Sequence, residues 1–123
     1  MLITSQPSRP GFEAIVKNEG FKCAFITHDP MYAYGAVTEM KRHNLTDELF
    51  VLMAGKATLL IREGETMSEH PLEPGKSYNV TAGTWHYLGV SEDAMLFVTE
   101  AGNTDKTNTD VLTLTQEYRL QEK

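Results

Sequence analysis

A chain of 123 residues has room for one hydrophobic core and not for two. With 41% hydrophobic and 23% charged residues it falls among ordinary globular proteins, which excludes wholesale disorder. The net charge of −6, with Lys41 and Arg42 the only adjacent basic pair, argues against a nucleic-acid groove, which needs clustered Lys and Arg.

Residues 1–10 are polar and proline-bearing and are expected to form a surface arm or an edge strand. Met1-Leu-Ile-Thr-Ser lacks the basic start and long apolar run of an export signal, and no stretch approaches the ~18 apolar residues of a membrane span. A cytoplasmic protein with no membrane partner is expected. Phe12–Val16 and Phe21–Thr27 are short apolar stretches around Lys17-Asn-Glu-Gly20, a hairpin signal. Cys23 is alone, so no intramolecular disulfide forms, and its apolar neighbours favour a buried, inert thiol. After the break at His28-Asp-Pro30, strands are predicted over 35–43, 48–54, 57–62, 75–81, 84–90 and 94–100, separated by turn residues. Residues 102–110 read as a polar loop, 111–115 as a final strand, and 116–123 as a short frayed helix. Many short strands without helical period predict an all-β sandwich or barrel forming one domain over 1–123.

Two half-motifs carry the chemistry. The first is Lys41-Arg-His43-Asn-Leu-Thr-Asp-Glu48 followed by Gly55, and the second is Gly75, then Thr81-Ala-Gly83 and His86. Strand geometry repeats every two residues, so Glu39, Lys41 and His43 share a face, with Val37 beside them and Met40 opposite. Glu48, Phe50 and Leu52 share another, as do His86, Leu88 and Val90. If the apolar members face the core, Glu48 and His86 face it too, with Phe50, Leu52, Tyr78 and Leu88 lining a pocket. An unpaired buried polar group costs roughly 1–3 kcal/mol and a charge far more, so such a cluster needs a metal, mutual pairing or a ligand. His28 and His70 sit in loop sequence and are expected at the surface. Asp47 is expected to point away from Glu48 into solvent.

These motifs resemble the cupin superfamily over residues 35–90. Gly35, His43, Glu48 and Gly55 match the first motif; Gly75, Gly83 and His86 match the second. The resemblance implies a double-stranded β-helix, or jelly-roll barrel, with a divalent metal (zinc, manganese, iron or nickel) held by His43, Glu48 and His86. Three positions depart from the pattern. Lys41 stands where the family has a first histidine, Thr81 replaces a proline and Val90 an asparagine. Lys41 therefore suggests an alternative without metal, in which its ammonium pairs with Glu48 or Glu39.

The expected function is a metal-dependent enzyme on a small polar metabolite, of isomerase, lyase or dioxygenase type, with Lys41 or Glu39 as the proton-transfer group. The alternative is a non-catalytic cupin binding an anionic or sugar-like ligand through Lys41. Strands apolar on both faces, such as 49–53 and 95–98, suggest a homodimer, with the arm or 111–115 adding a strand across it.

Overall fold

Ten strands make up nearly all the regular structure of the computed structural model, which describes residues 1–123. They are β1 (Gly11–Lys17), β2 (Lys22–Thr27), β3 (Gly35–His43), β4 (Glu48–Ala54), β5 (Ala57–Glu63), β6 (Thr66–Pro71), β7 (Ser77–Val80), β8 (Trp85–Val90), β9 (Met95–Glu100) and β10 (Thr109–Leu120). One antiparallel sheet runs β1-β2-β9-β4-β7 and the other β10-β3-β8-β5-β6. The two face each other as a jelly roll, the predicted class. Between them lies one apolar core. Ile26, Phe50, Leu52, Val80, Leu96 and Val98 come from the first sheet; Ala57, Leu59, Leu88 and Val90 come from the second. Each set recurs at every second residue along its strand, the inward half of the pleat.

A second, smaller core lies on the outer face of the second sheet, formed by Val37, Met40, Leu60 and Leu120. It exists because β3 and β10 bend together. Thr113 faces Glu39 but Tyr118 faces Val37, so five steps of β10 oppose two of β3. Beyond this bulge β10 reaches across the sheet. The Tyr118 hydroxyl donates to Glu69 of β6, and Leu120 lies over Gly89 of β8. A Cβ at Gly89 would meet Leu120 Cδ2 at 2.8 Å, so a larger residue there would require Leu120 to shift.

Three expectations change here. Residues 116–120 are strand, not helix, because Leu112, Leu114, Tyr118 and Leu120 keep a period of two onto one apolar face. The polar loop ends earlier than predicted, in a 3-10 turn at Lys106–Asn108, and β10 starts at Thr109. β6 was not predicted at all. The arm of residues 1–10 forms no strand. Segment 111–115 pairs with β3 of its own chain. No helix is long and apolar enough to cross a membrane.

Leu120 is fully buried, so Leu120→Ala is expected to destabilise the protein by about 2–5 kcal/mol in urea unfolding. A frayed terminal helix would lose less than about 0.5 kcal/mol, the usual range for surface changes.

Candidate metal centre

His43 ends β3 and Glu48 begins β4, and the loop between them is tied down at one end of the barrel. Gly83 N donates to His43 O at 2.8 Å, and Asn44 N to Asn108 O at 2.9 Å. Asp47 accepts from Ala82 N at 2.9 Å and from Asn79 Nδ2 at 3.0 Å. It is exposed, as expected, but it also fastens the start of β4 to the turn before β8. Glu48 and His86 therefore sit above Phe50 and Leu88 at the same level of the barrel.

There two imidazoles converge on one oxygen. His43 Nε2 and His86 Nε2 each lie 3.2 Å from Glu48 Oε1. One ligand atom from each residue falls within 4.8 Å of the other two. The ring centroids are 5.3 Å apart, and Phe50 meets His86 edge-on at 6.1 Å. Glu48 and His86 are buried; His43, with 15% of its side chain exposed, is the most open of the three.

The surrounding groups orient both rings. His86 Nδ1 lies 2.9 Å from Thr84 O. A carbonyl only accepts, so Nδ1 carries the hydrogen and a neutral ring presents its lone pair at Nε2. That lone pair faces the carboxylate oxygen. Two acceptors at 3.2 Å repel unless a proton or a cation lies between them. His43 Nδ1 is held by Thr109 Oγ1 at 2.9 Å. Metal-binding histidines are usually oriented this way through the nitrogen that does not bind.

The electrostatics agree. Burial alone would raise the Glu48 carboxyl, but hydrogen bonds and charge from His43 and His86 hold it down at about 2. Burial would lower His43, yet the hydrogen bond and charge of Glu48, with the charge of Glu100, leave it above its ordinary value.

Glu100 was not predicted as part of the site. It follows Leu96 and Val98 on the inward face of β9, the periodicity that would have revealed it. Its Oε1 lies 3.2 Å from Lys22 Nζ, and its Oε2 lies 3.9 Å from His43 Nε2. Lys22, its register partner on β2, also donates to Thr104 O at 2.9 Å. Burial and the charge of Glu48 raise the Glu100 carboxyl, against the opposing pull of Lys22 and His43. Tyr32 stands nearby, its phenol kept protonated by burial and by the charges of Glu48 and Glu100.

The other predicted residues divide. Lys41 is the register partner of His86 and so shares its inward face, half-buried. No carboxylate lies within 4.0 Å of its ammonium, so the expected Lys41–Glu48 or Lys41–Glu39 pair does not form. Lys22 is the ammonium that enters the cluster. Glu39 is exposed, and Val37 packs with Met40 on the outer face, because the alternation of β3 is interrupted between Val37 and Glu39. Phe50, Leu52 and Leu88 are packed solidly beneath the ligands. Tyr78 is half-buried, its hydroxyl accepting from Glu73 N at 2.8 Å. His28 is half-buried and His70 exposed. A cleft of about 330 Å³ between Phe21 and Asp47 reaches Glu100, and His43, Glu48 and His86 do not line it.

A family model described as a cupin domain matches residues 31–100, more than half the chain, a span that includes His43, Glu48, His86 and Glu100. The chain belongs to the cupin family. Solved structures with the same fold include a cupin-2 domain protein from Shewanella frigidimarina, with TM-score 0.59, 18% identity, and coverage of 78% of this chain and 84% of that one. KdgF from Halomonas sp. gives 0.60 and 18%, covering 83% of this cupin and 88% of its own chain. A mutant of the 3,4-ketoisomerase QdtA from Thermoanaerobacterium thermosaccharolyticum, in complex with TDP-4-keto-6-deoxyglucose, gives 0.62 and 12%, with 82% and 83% covered. At these identities the likeness is one of fold. No curated protein sequence matches the chain.

Because Glu48 sits below its ordinary 4.5, its contribution to stability is complete above that pH and is lost as pH falls toward about 2. Metal-free wild type should therefore lose Tm more steeply than Glu48→Gln between pH 4.5 and 2. Parallel profiles would show that Glu48 is not held by the two histidines.

Proposed function

We propose that this cupin is a metal-dependent enzyme acting on a small polar metabolite, with the metal held by His43, Glu48 and His86. The supporting observation is the convergence of two oriented imidazole Nε2 atoms on one carboxylate oxygen. Two nitrogens and an oxygen suit zinc, manganese, iron or nickel, and three protein ligands leave positions open for substrate. A bound divalent ion would supply Lewis-acid polarisation of a substrate carbonyl or carboxylate.

Around those open positions the chain provides complementary groups. Lys41, on the face of His86 and free of ion pairs, offers a cation to an anionic or developing negative oxygen and a proton for transfer. Glu39, two residues from Lys41 on β3 and exposed, is the other candidate for proton transfer. Tyr32 adds a protonated hydroxyl close to Glu48 and Glu100. Such an arrangement favours oxygen-rich substrates. The keto sugar in the ketoisomerase complex is one of that class. Isomerase, lyase and dioxygenase chemistry all begin from this kind of bound oxygen.

The unpaired Lys41 also favours a second reading, a non-catalytic cupin in which this ammonium holds an anionic or sugar-like ligand without metal. The two readings differ in what His86 does. Metal content of freshly purified protein, measured by mass spectrometry, should approach one equivalent and disappear in His86→Ala. Metal at a hundred times its Kd adds about 2.7 kcal/mol, enough to raise Tm by several degrees. Less than about a tenth of an equivalent, with no Tm shift on adding the four metals, would reject the metal reading.

Binding requires His43 neutral, and its raised pKa means protons compete up to and above pH 6.5. Metal affinity should therefore climb with pH through that range; a flat profile from pH 5.5 to 8 would remove His43 from the ligand set. Lys41→His adds a donor on the inward face and should slow metal loss to a chelator. Unchanged loss would mean that this position does not reach the centre.

A further inference from the structure

Every buried side-chain nitrogen and oxygen in this protein has a hydrogen-bond partner except one, Oε2 of Glu100. Such an orphan is rare, because a carboxylate oxygen removed from water without compensation is destabilising. The rest of the residue is well provided for. Its other oxygen meets Lys22 at 3.2 Å, and Lys22 is fixed in turn by Thr104 O at 2.9 Å and by the ring of Phe12. The side chain is 4% exposed and follows two core residues on its strand, so it is firmly placed. The free oxygen points toward the metal centre and stops 3.9 Å from His43 Nε2.

That separation is informative. Two ligand atoms held at about 2.1 Å on one ion at roughly tetrahedral angles lie about 3.4 Å apart. The 3.2 Å spans from Glu48 to each histidine fall slightly inside that figure and the 3.9 Å span from Glu100 to His43 slightly outside it, while Glu100 stands just beyond the set of three whose ligand atoms lie within 4.8 Å of one another, so its carboxylate has to swing inward to join them. Lys41, the other polar group on the inward face, cannot donate a lone pair while charged.

We propose that Glu100 is the fourth protein donor of the metal centre, acting through Oε2 while Lys22 holds Oε1. The proposal rests on the metal reading of His43, Glu48 and His86. It makes the set two imidazoles and two carboxylates, harder than the three-ligand set, and so moves preference toward manganese and iron(II) relative to zinc. It also gives Lys22 a function. The ammonium neutralises the second carboxylate when no ion is bound, competing with the ion for it, and limits the charge that the two acids would otherwise concentrate.

The test is calorimetric titration of metal-stripped full-length protein with Mn²⁺ and Zn²⁺, for wild type, Glu100→Gln and His86→Ala. Glu100→Gln should bind Mn²⁺ at least about tenfold more weakly, in line with the 10–100-fold loss on changing a group that supports a metal site. Zn²⁺ should weaken less, whereas loss of a merely distant charge would weaken both ions alike and overturn the assignment. If Glu100→Gln keeps wild-type Mn²⁺ affinity while His86→Ala loses it, the fourth donor is rejected and the three-ligand centre stands. Wild type that binds neither ion rejects both. Should Glu100→Gln fail to fold, Lys22→Met provides the check. Freed from its ammonium, Glu100 should tighten Mn²⁺ binding several-fold, and unchanged or weaker binding overturns the proposal.

Discussion

The interaction on which the upper end of this barrel depends is a single carboxylate oxygen, Glu48 Oε1, shared by the Nε2 atoms of His43 and His86. It joins the two sheets, since Glu48 belongs to the first and both histidines to the second. Below it the space between the sheets is filled by Phe50, Leu52, Leu88 and Val90, which could close over any apolar group but cannot satisfy a charge. A protein of this size has about 5–15 kcal/mol of net stability, so an unpaired ion here would consume much of it. The cluster must therefore be complete in itself, or complete with a ligand.

Its placement is set by backbone devices outside it. The start of β4 is bound to the turn before β8 through Asp47, and the end of β3 to the same turn through Gly83. Gly83 has φ +79°, a left-handed conformation that a side chain would strain, and this lets its N–H reach His43 O. Thr84 and Thr109 then fix the rotation of each ring. Side chains from three strands are thus positioned by groups outside the cluster. Changes at Asp47 or Thr84 act on the centre through geometry.

Much of this was legible from residue order, and the failures have identifiable causes. Glu48 and His86 were placed inside because they continue the apolar alternation of Phe50–Leu52 and Leu88–Val90. The same reasoning applied to Leu96–Val98 leads to Glu100, and applied to Ala24–Ile26 leads to Lys22; a lone charge at a strand end resembles a solvated terminus until its partner strand is known. Only the pairing of Lys22 with Glu100 identifies the two as buried. β6, Thr-Met-Ser-Glu-His-Pro, is an edge strand with little apolar surface, and it left no periodic signal. Residues 116–120 were misassigned because Gln116 interrupts an alternation that resumes at Tyr118. The bulge that carries β10 over the sheet, and with it the break that puts Val37 on the outer face with Met40, accompanies the tertiary packing of Leu120 on Gly89 and has no local sequence signature.

The charge balance explains why a lysine is tolerated on the inward face beside His86. Lys22 and Glu100 neutralise one another, which leaves Glu48 as the one negative charge facing two imidazoles and Lys41. Leaving Lys41 aside, the carboxylate and two neutral imidazoles carry −1, which a proton on one imidazole would cancel and a divalent ion would exceed. In the protonated state Lys41 lowers the tendency of His43 to hold its proton, against the pull of Glu48. The same ammonium therefore weakens the proton's hold on a ligand nitrogen and repels the ion that would replace it. Its two effects oppose each other, and under the proposed metal reading an anion bound between Lys41 and the ion would relieve the repulsion while keeping the first effect. On this account Lys41 links occupancy by metal to occupancy by an anion: each binds better when the other is present.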